Sequence, residues 1–250
     1  MSTRYDCRDP GQRTAGIDAA VAAARAGEVI VLPTDTVYGI GADAFIPAAV
    51  TTMLAAKGRG RNMPPPVLVG TARAAAALVQ DLGAFGQDLI DEFWPGGLTL
   101  VFRASPTLLW DLGDTKGTVA LRMPLHPVAL EVLKQSGPLA VSSANRTGQP
   151  PAVTADEAQQ QLGEAVSVYL DDGPSFGNIP STILDLTGTI PTLLRAGAVS
   201  VDRLRTVASV IADSESAAPD TDTAADTQPA EPHPLEDHAD APASERPSGG

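Results

Sequence analysis

The chain has 250 residues, with 17 Lys and Arg against 30 Asp and Glu, a formal charge of −13, and a single cysteine, Cys7. No apolar run approaches the ~18 residues of a membrane span, no intrachain disulfide can form, and zinc motifs built on paired cysteines are excluded. The start, MSTRYDCRDPGQRT, lacks the apolar stretch of a secretion signal, so a soluble cytoplasmic protein with no membrane partner is expected, and its overall charge offers no general footprint for nucleic acid.

In chain order, residues 14–26 predict an Ala-rich helix stopped by Gly27, and residues 28–32 (EVIVL) a short apolar strand ended by Pro33. Pro47 suits a first helical turn, and that helix runs to Lys57 before Gly58. PVLVG comes next as a strand, then a helix capped by Thr71 and another running through Asp88 to Trp94. LTLVF and TVALRM read as strands, a helix begins after His126-Pro127, and PLAV is a short strand. Thr154 and Glu157 have the spacing of a capping box, in which each side chain satisfies a free amide of the first turn. Strands VSVYL, STILDL and TLLR succeed it, and a last helix begins at Ser200. Alternating strands and helices predict an α/β sheet, with antiparallel pairing near residues 98–122 and 181–195, where strands succeed one another directly.

The composition shifts near residue 210. Residues 211–250 hold ten acids and one base, Arg246, which is −9 of the −13, with no aromatic residue and only Ile211 and Leu235 as large aliphatics. Such a segment buries too little apolar surface to offset its ordering entropy, so residues 211–250 are expected to be a disordered acidic tail. Residues 1–210, with a net charge of −4, are long enough for one domain with a sizeable core.

Two motifs resemble catalytic signatures without their context. Gly39-Ile40-Gly41-Ala42-Asp43-Ala44 matches a dinucleotide fingerprint, but its helix begins only at Pro47 and no acid stands ~20 residues on, so a glycine-bent loop is the simpler reading. Gly173-Pro174-Ser175-Phe176-Gly177 matches a nucleophile elbow, but no helix comes after it and the later histidines, His233 and His238, fall in the expected tail. His126 is simplest as a structural residue at a helix start, and no carboxylate spacing suggests a protein-built metal site.

Five segments share a different pattern, in which a small polar or cationic residue stands at the edge of a strand. Pro33-Thr34-Asp35-Thr36-Val37-Tyr38-Gly39 puts hydroxyls at a strand end, where α/β sheets bind ligands, although Thr, Asp and Gly also make ordinary turns. Lys57-Gly58-Arg59-Gly60-Arg61 is either a solvated basic helix end or a polyanion site, since Arg offers paired bonds to phosphate and Lys a point charge. Thr118 to Pro124 (TVALRMP) leaves Arg122 near a strand end, where a buried guanidinium requires an anionic partner. Ser142-Ser143-Ala144-Asn145 and Ser181-Thr182, the latter succeeded by Leu194-Arg195, complete the set.

PTDTVYGIGADA, K-G-R, FWPGGLTLVF, VALRMPLHP, SSANRTGQP, STILDL and LLRAG, in that order, resemble the motif series of the YrdC-like family, the L-threonylcarbamoyladenylate synthases. The resemblance spans about residues 14–206. It implies an open twisted mixed α/β sheet around a concave basic cavity, in a single-domain member. It also implies an enzyme, a nucleotidyltransferase that condenses L-threonine, bicarbonate or carbon dioxide, and ATP into threonylcarbamoyl-AMP with release of pyrophosphate. Downstream threonylcarbamoyl-transfer proteins would then modify tRNA beside the anticodon, so that tRNA is reached only indirectly.

The same resemblance assigns Thr36, Arg122 and Ser181 to L-threonine and Arg59, Thr118, Ser143, Asn145 and Arg195 to ATP, with Lys57 and Arg59 as catalytic groups on the phosphates. Mg²⁺ is expected to arrive with ATP and not in a dedicated protein site. The chain departs from the family pattern at Gly60, at Met63-Pro64-Pro65-Pro66, at Leu68 and at Pro151, which bears on substrate affinity. An RNA-binding module of the same fold without synthase activity is the alternative, against which the −4 body and its single basic cluster weigh.

Overall fold

The run EVIVL is apolar at nearly every position because both faces of its strand are covered. Val29 and Val31 enter one core cluster and Ile30 and Leu32 another, the alternation that a strand's two-residue period imposes. The computed structural model describes residues 2–213. In chain order its elements are β1 (Thr3–Asp6), α1 (Pro10–Arg25), β2 (Ile30–Leu32), β3 (Gly39–Asp43), α2 (Pro47–Lys57), β4 (Val67–Leu68), α3 (Ala72–Ala76), α4 (Gly83–Phe93) and β5 (Leu98–Arg103). They continue with β6 (Thr118–Arg122), α5 (Pro127–Ser136), β7 (Leu139–Ser143), α6 (Ala155–Leu162), β8 (Val168–Asp171), β9 (Thr182–Asp185), β10 (Thr192–Arg195), α7 (Val201–Arg205) and β11 (Ala212–Asp213).

The strands form one mixed sheet in the order β1-β8-β2-β3-β7-β4-β6-β5-β9-β10-β11. As expected from their direct succession, β5 and β6 pair antiparallel, with Val101 opposite Ala120, and so do β9 and β10. Helices α1 and α5 cover one face through Ile17, Val21, Val128 and Val132, packed with Leu139 and Leu170 of the sheet. The opposite face carries the larger cluster, built with Met53 and Leu54 of α2 and Leu89, Ile90 and Phe93 of α4.

Local chemistry sets the helix ends. Asp9 accepts a hydrogen bond from the Gln12 amide and Pro10 occupies the first turn, so α1 begins four residues before the predicted start. Gly58, at φ +65°, closes α2 in the left-handed conformation that glycine tolerates best. Thr71, Thr154 and Ser200 each cap the helix that begins after them, and the Glu157 carboxylate reaches back to the Val153 amide.

Two expectations are corrected. Residues 39–43 form no loop but strand β3, because Gly39, Ile40 and Gly41 pair with both β2 and β7, and a side chain at Gly39 would come within 2.7 Å of Val141 Cγ1. The polar segment TRYD forms β1, paired at the sheet edge beside β8 and tied by Arg4 to Asp171 at 2.7 Å. The folded body also passes residue 210: Ile211 is buried in the core, and Ala212 and Asp213 pair with Thr192 and Leu193. The remainder of the expected tail lies outside the described residues.

Candidate functional site

On the sheet face that α1 and α5 cover in part, the strands beyond those helices are the floor of a cavity of about 330 Å³, whose lining includes Leu68 and Val141 of the α1/α5 cluster. The strand period of two puts Thr118, Ala120 and Arg122 of β6 on that floor, with Thr99 and Val101 of β5 beside them and Leu68, Val141 and Ile183 from β4, β7 and β9. Gly39 lines it too, which gives its missing side chain a purpose: the approach to Val141 leaves the floor open.

At one end of the cavity, the buried hydroxyls of Thr34 and Thr36 lie 3.1 Å apart, and those of Thr99 and Ser181 lie 2.8 Å apart. Arg122, only 6% exposed, donates through Nε to the Gly96 carbonyl at 2.9 Å, through one terminal nitrogen to Thr36 Oγ1 at 2.9 Å and through the other to Asp35 Oδ1 at 2.6 Å. Burial pushes the Arg122 guanidinium below its usual range, and the Asp35 charge opposes that shift. Arg195, at the end of β10, donates to the Ser181 carbonyl at 2.9 and 3.1 Å and to Ser181 Oγ at 3.2 Å.

Elsewhere in the lining, Arg59 comes directly after the left-handed Gly58, so the chain turns out of the helix and carries the guanidinium to the cavity. Its Nε donates to the Met63 carbonyl at 2.9 Å and its Nη1 to Ser142 Oγ at 3.1 Å. Ser142 and Ser143 line the cavity from the end of β7, and Pro64, Pro65, Pro66 and Leu112 give it apolar surface. Among the described residues three arginines and no carboxylate line it, which makes it an anion-accepting cleft that also has room for an apolar or aromatic group.

Of the residues singled out in the sequence, Thr36, Arg59, Thr118, Arg122, Ser143, Ser181 and Arg195 are brought together in this one lining. Lys57 and Asn145 are not part of it. The Lys57 side chain, 1% exposed, runs beneath the loop after β7, where its ammonium donates to the Ser143 carbonyl at 2.6 Å, to the Asn145 carbonyl at 2.7 Å and to Asn145 Oδ1 at 3.2 Å. Asn145, fully buried, holds the other side of that loop by donating to the Arg146 and Gln149 carbonyls. Contact of the Lys57 ammonium with phosphate is therefore not supported by this geometry; the amine is enclosed by loop oxygens.

The sequence gives no ligand role to Thr99, Ser142 or the three prolines, whereas Thr34 stands in a segment already marked for its hydroxyls. Thr99 has a usable signal, since it is the polar residue of LTLVF and alternates with Leu98 and Leu100, which enter the core. His126 stands, as expected, at the start of α5, with Nε2 3.5 Å from Asp172 Oδ2, and burial lowers its pKa. Ser175 donates to the Val153 carbonyl at 3.2 Å and no helix begins after it, in keeping with the dismissal of a nucleophile elbow. Among the described residues, no group of three His, Cys, Asp or Glu side chains is placed to hold a metal ion, and no helix is long and apolar enough to cross a membrane.

Comparison with known proteins agrees with this architecture. A Mycobacterium tuberculosis protein is 55% identical over 214 residues, which cover 86% of this chain and 99% of that one. The threonylcarbamoyl-AMP synthase of Bacillus subtilis is 36% identical over 75% of this chain and 55% of its own length. Among solved structures, Pyrococcus abyssi Sua5 complexed with L-threonine superposes with a TM-score of 0.75 at 32% identity, over 79% of this chain and 58% of that one. The chain thus spans little more than half the length of the last two. The sequence model of the Sua5, YciO and YrdC proteins, described as telomere recombination, matches residues 22–197, the segment that carries the cavity, and the chain belongs to that family.

Proposed function

We propose that this protein is a threonylcarbamoyl-AMP synthase, which condenses L-threonine, bicarbonate or carbon dioxide, and ATP and releases pyrophosphate. The observation that carries the reading is that one cavity lining holds two hydrogen-bonded groups, hydroxyls with Arg122 at Thr36, Thr99 and Ser181, and Arg59 with Ser142 beside Ser143, with apolar surface from Pro64, Pro65 and Pro66. An amino acid fits the first, the phosphates of a nucleotide the second, and its base the apolar surface. The names of the relatives support the same assignment.

The chemistry needs no protein nucleophile. The threonine amine attacks the carbon of carbon dioxide and loses a proton to form a carbamate, and a carbamate oxygen then displaces pyrophosphate from the α-phosphorus. Arg122, Thr36 and Ser181 orient the amino acid, while Arg59, Ser143, Thr118 and Arg195 hold the nucleotide, with Arg59 offsetting charge on the departing pyrophosphate. Lys57 and Asn145 act in this scheme by shaping the loop that carries Ser143. Among the described residues no carboxylate lines the cavity, which suits an Mg²⁺ ion that arrives on the triphosphate. The product serves threonylcarbamoyl-transfer proteins that act on tRNA, which this protein need not touch.

The test is pyrophosphate release by the purified chain, with mass detection of threonylcarbamoyl-AMP. Release that depends jointly on L-threonine, bicarbonate and ATP is expected. Release independent of threonine, or salt-sensitive RNA retention in its place, would overturn the assignment.

A further inference from the structure

Asp35 stands between two residues of the cavity lining, Thr34 and Thr36, but does not itself line the cavity. Its Oδ1 accepts from the Arg122 guanidinium at 2.6 Å and from the Leu125 amide at 2.9 Å. Gly177 packs closely on its backbone, since a side chain there would come within 2.7 Å of the Asp35 carbonyl oxygen. The carboxylate is thus held by two donors, one at the end of β6 and one in the turn after it, and set behind the guanidinium, away from the space a ligand would fill.

Arginine has five N–H donors. In Arg122, Nε is committed to the Gly96 carbonyl, one terminal nitrogen to Thr36 Oγ1 and the other to Asp35 Oδ1. Among the described residues this leaves one uncommitted N–H on each terminal nitrogen, the number that a carboxylate accepts when bound through both oxygens. Without Asp35, Arg122 would be a buried cation lacking its carboxylate partner, held only through Gly96 and Thr36 and with one side of its guanidinium no longer pinned.

We propose that Asp35 is a positioning residue: it neutralises Arg122 in the empty cavity and fixes the guanidinium so that its two remaining donors present a fork to the carboxylate of an amino-acid ligand. The assignment rests on the proposed function for the identity of that ligand, L-threonine. A cation already paired attracts through directed bonds more than through net charge, so the site distinguishes a planar carboxylate from other anions by geometry.

The test is calorimetric titration of the purified full chain with L-threonine and, separately, with ATP, alongside initial rates of pyrophosphate release. Asp35→Ala should weaken L-threonine binding tenfold or more and leave ATP binding within twofold. Asp35→Asn, whose oxygen can still accept both hydrogen bonds, should recover most of the loss, whereas Asp35→Glu, which keeps the charge but displaces the carboxylate, should not. If Asp35→Ala does not fold, the contrast between the Asn and Glu variants carries the test. L-threonine affinity within twofold of wild type in Asp35→Ala, or equal affinities in Asp35→Asn and Asp35→Glu, would overturn the role of Asp35 and leave the synthase reading intact. Wild-type binding of L-threonine without pyrophosphate release would overturn the synthase reading and leave the role of Asp35 intact. Absence of L-threonine binding by the wild type would overturn both.

Discussion

The Lys57 ammonium lies 2.7 Å from the carbonyl oxygen of Asn145 and 3.2 Å from its Oδ1, so a residue of α2 grips the loop after β7 from below. The grip is doubled by the Thr147 amide, which donates to the Lys57 carbonyl at 2.8 Å. Two residues further on, Arg59 emerges into the cavity and donates to Ser142 Oγ. One helix end therefore does two jobs, organising the loop after β7 with one cation and lining the cavity with another.

Replacing Lys57 by Met keeps the apolar stem and removes the three donors. The Ser143 and Asn145 oxygens then lose a charged partner in a buried place, which costs about 1–3 kcal/mol for a polar group left unsatisfied. A lower thermal midpoint is expected, together with a roughly ten- to hundredfold fall in kcat/KM for ATP from the displaced loop. A variant with wild-type stability but no activity would instead place the amine on the reacting phosphates.

Arg59→Ala should separate from this behaviour. Arg59 is half-buried, and its bonds to the Met63 carbonyl and the Ser142 hydroxyl are bonds to neutral groups, so neither acceptor is left as a buried charge when it is removed. Thermal stability should stay close to wild type while pyrophosphate release drops by roughly 10²–10³, the range for removing one preorganised charge-stabilising donor. Differential scanning fluorimetry and a pyrophosphate assay on the same preparation check both halves.

Arg122→Lys tests the fork. Lysine keeps a charge near Asp35, but its three donors cannot serve Gly96, Thr36, Asp35 and both oxygens of a bound carboxylate at once. The KM for L-threonine should rise at least tenfold with the KM for ATP nearly unchanged. Equal effects on both would mean that Arg122 supports the whole cavity and not its amino-acid end.

Geometry draws the line between what the sequence shows and what it hides. Thr36, Arg122 and Ser181 are legible because each adjoins an apolar strand at a polar position, which is where a sheet presents ligand groups. Lys57 and Asn145 share the same motifs, but whether a side chain points into a cleft or under a loop depends on the turn at Gly58 and the path after Ser143, which no local pattern encodes. Strand β3 is hidden for a related reason. Gly39 and Gly41 look like breakers until the neighbouring Val141 shows that a side chain would not fit. Asp35 stands in view among turn formers, and only its bonds to Arg122 and Leu125 distinguish it from them.

His126 gives a pH dependence of defined sign. Burial lowers its folded-state pKa from the ordinary 6.5, while Asp172 and Asp35 pull the other way and Arg13 adds to the lowering. The unfolded chain therefore binds the proton more readily than the folded one. The associated stability is complete above about pH 6.5 and is lost as pH falls through the lower folded-state value. His126→Gln should flatten the acid side of the stability curve relative to wild type, measured by denaturant unfolding at stepped pH. An unchanged difference between the two proteins from about pH 7.5 to about pH 5 would show that His126 takes no part.

Two truncations separate the contribution of the core from that of the acidic C-terminal residues. The cavity lining falls within residues 34–195, and the described fold ends with Ala212 and Asp213 paired on β10, the strand that carries Arg195. Ending the chain after Asp213 removes nine acids and one base and keeps that pairing, so pyrophosphate release within twofold of the full chain is expected. Ending it before Ile211 removes a buried side chain, worth about 1.5–3 kcal/mol when fully buried, and the strand beside β10 as well. That shorter chain should melt at a lower temperature and bind ATP more weakly, because the hold of Arg195 on Ser181 depends on where β10 sits. If the longer truncation product also loses activity, the acidic residues beyond Asp213 contribute to the reaction itself, and charge-neutral replacements there would show whether their carboxylates are what matters.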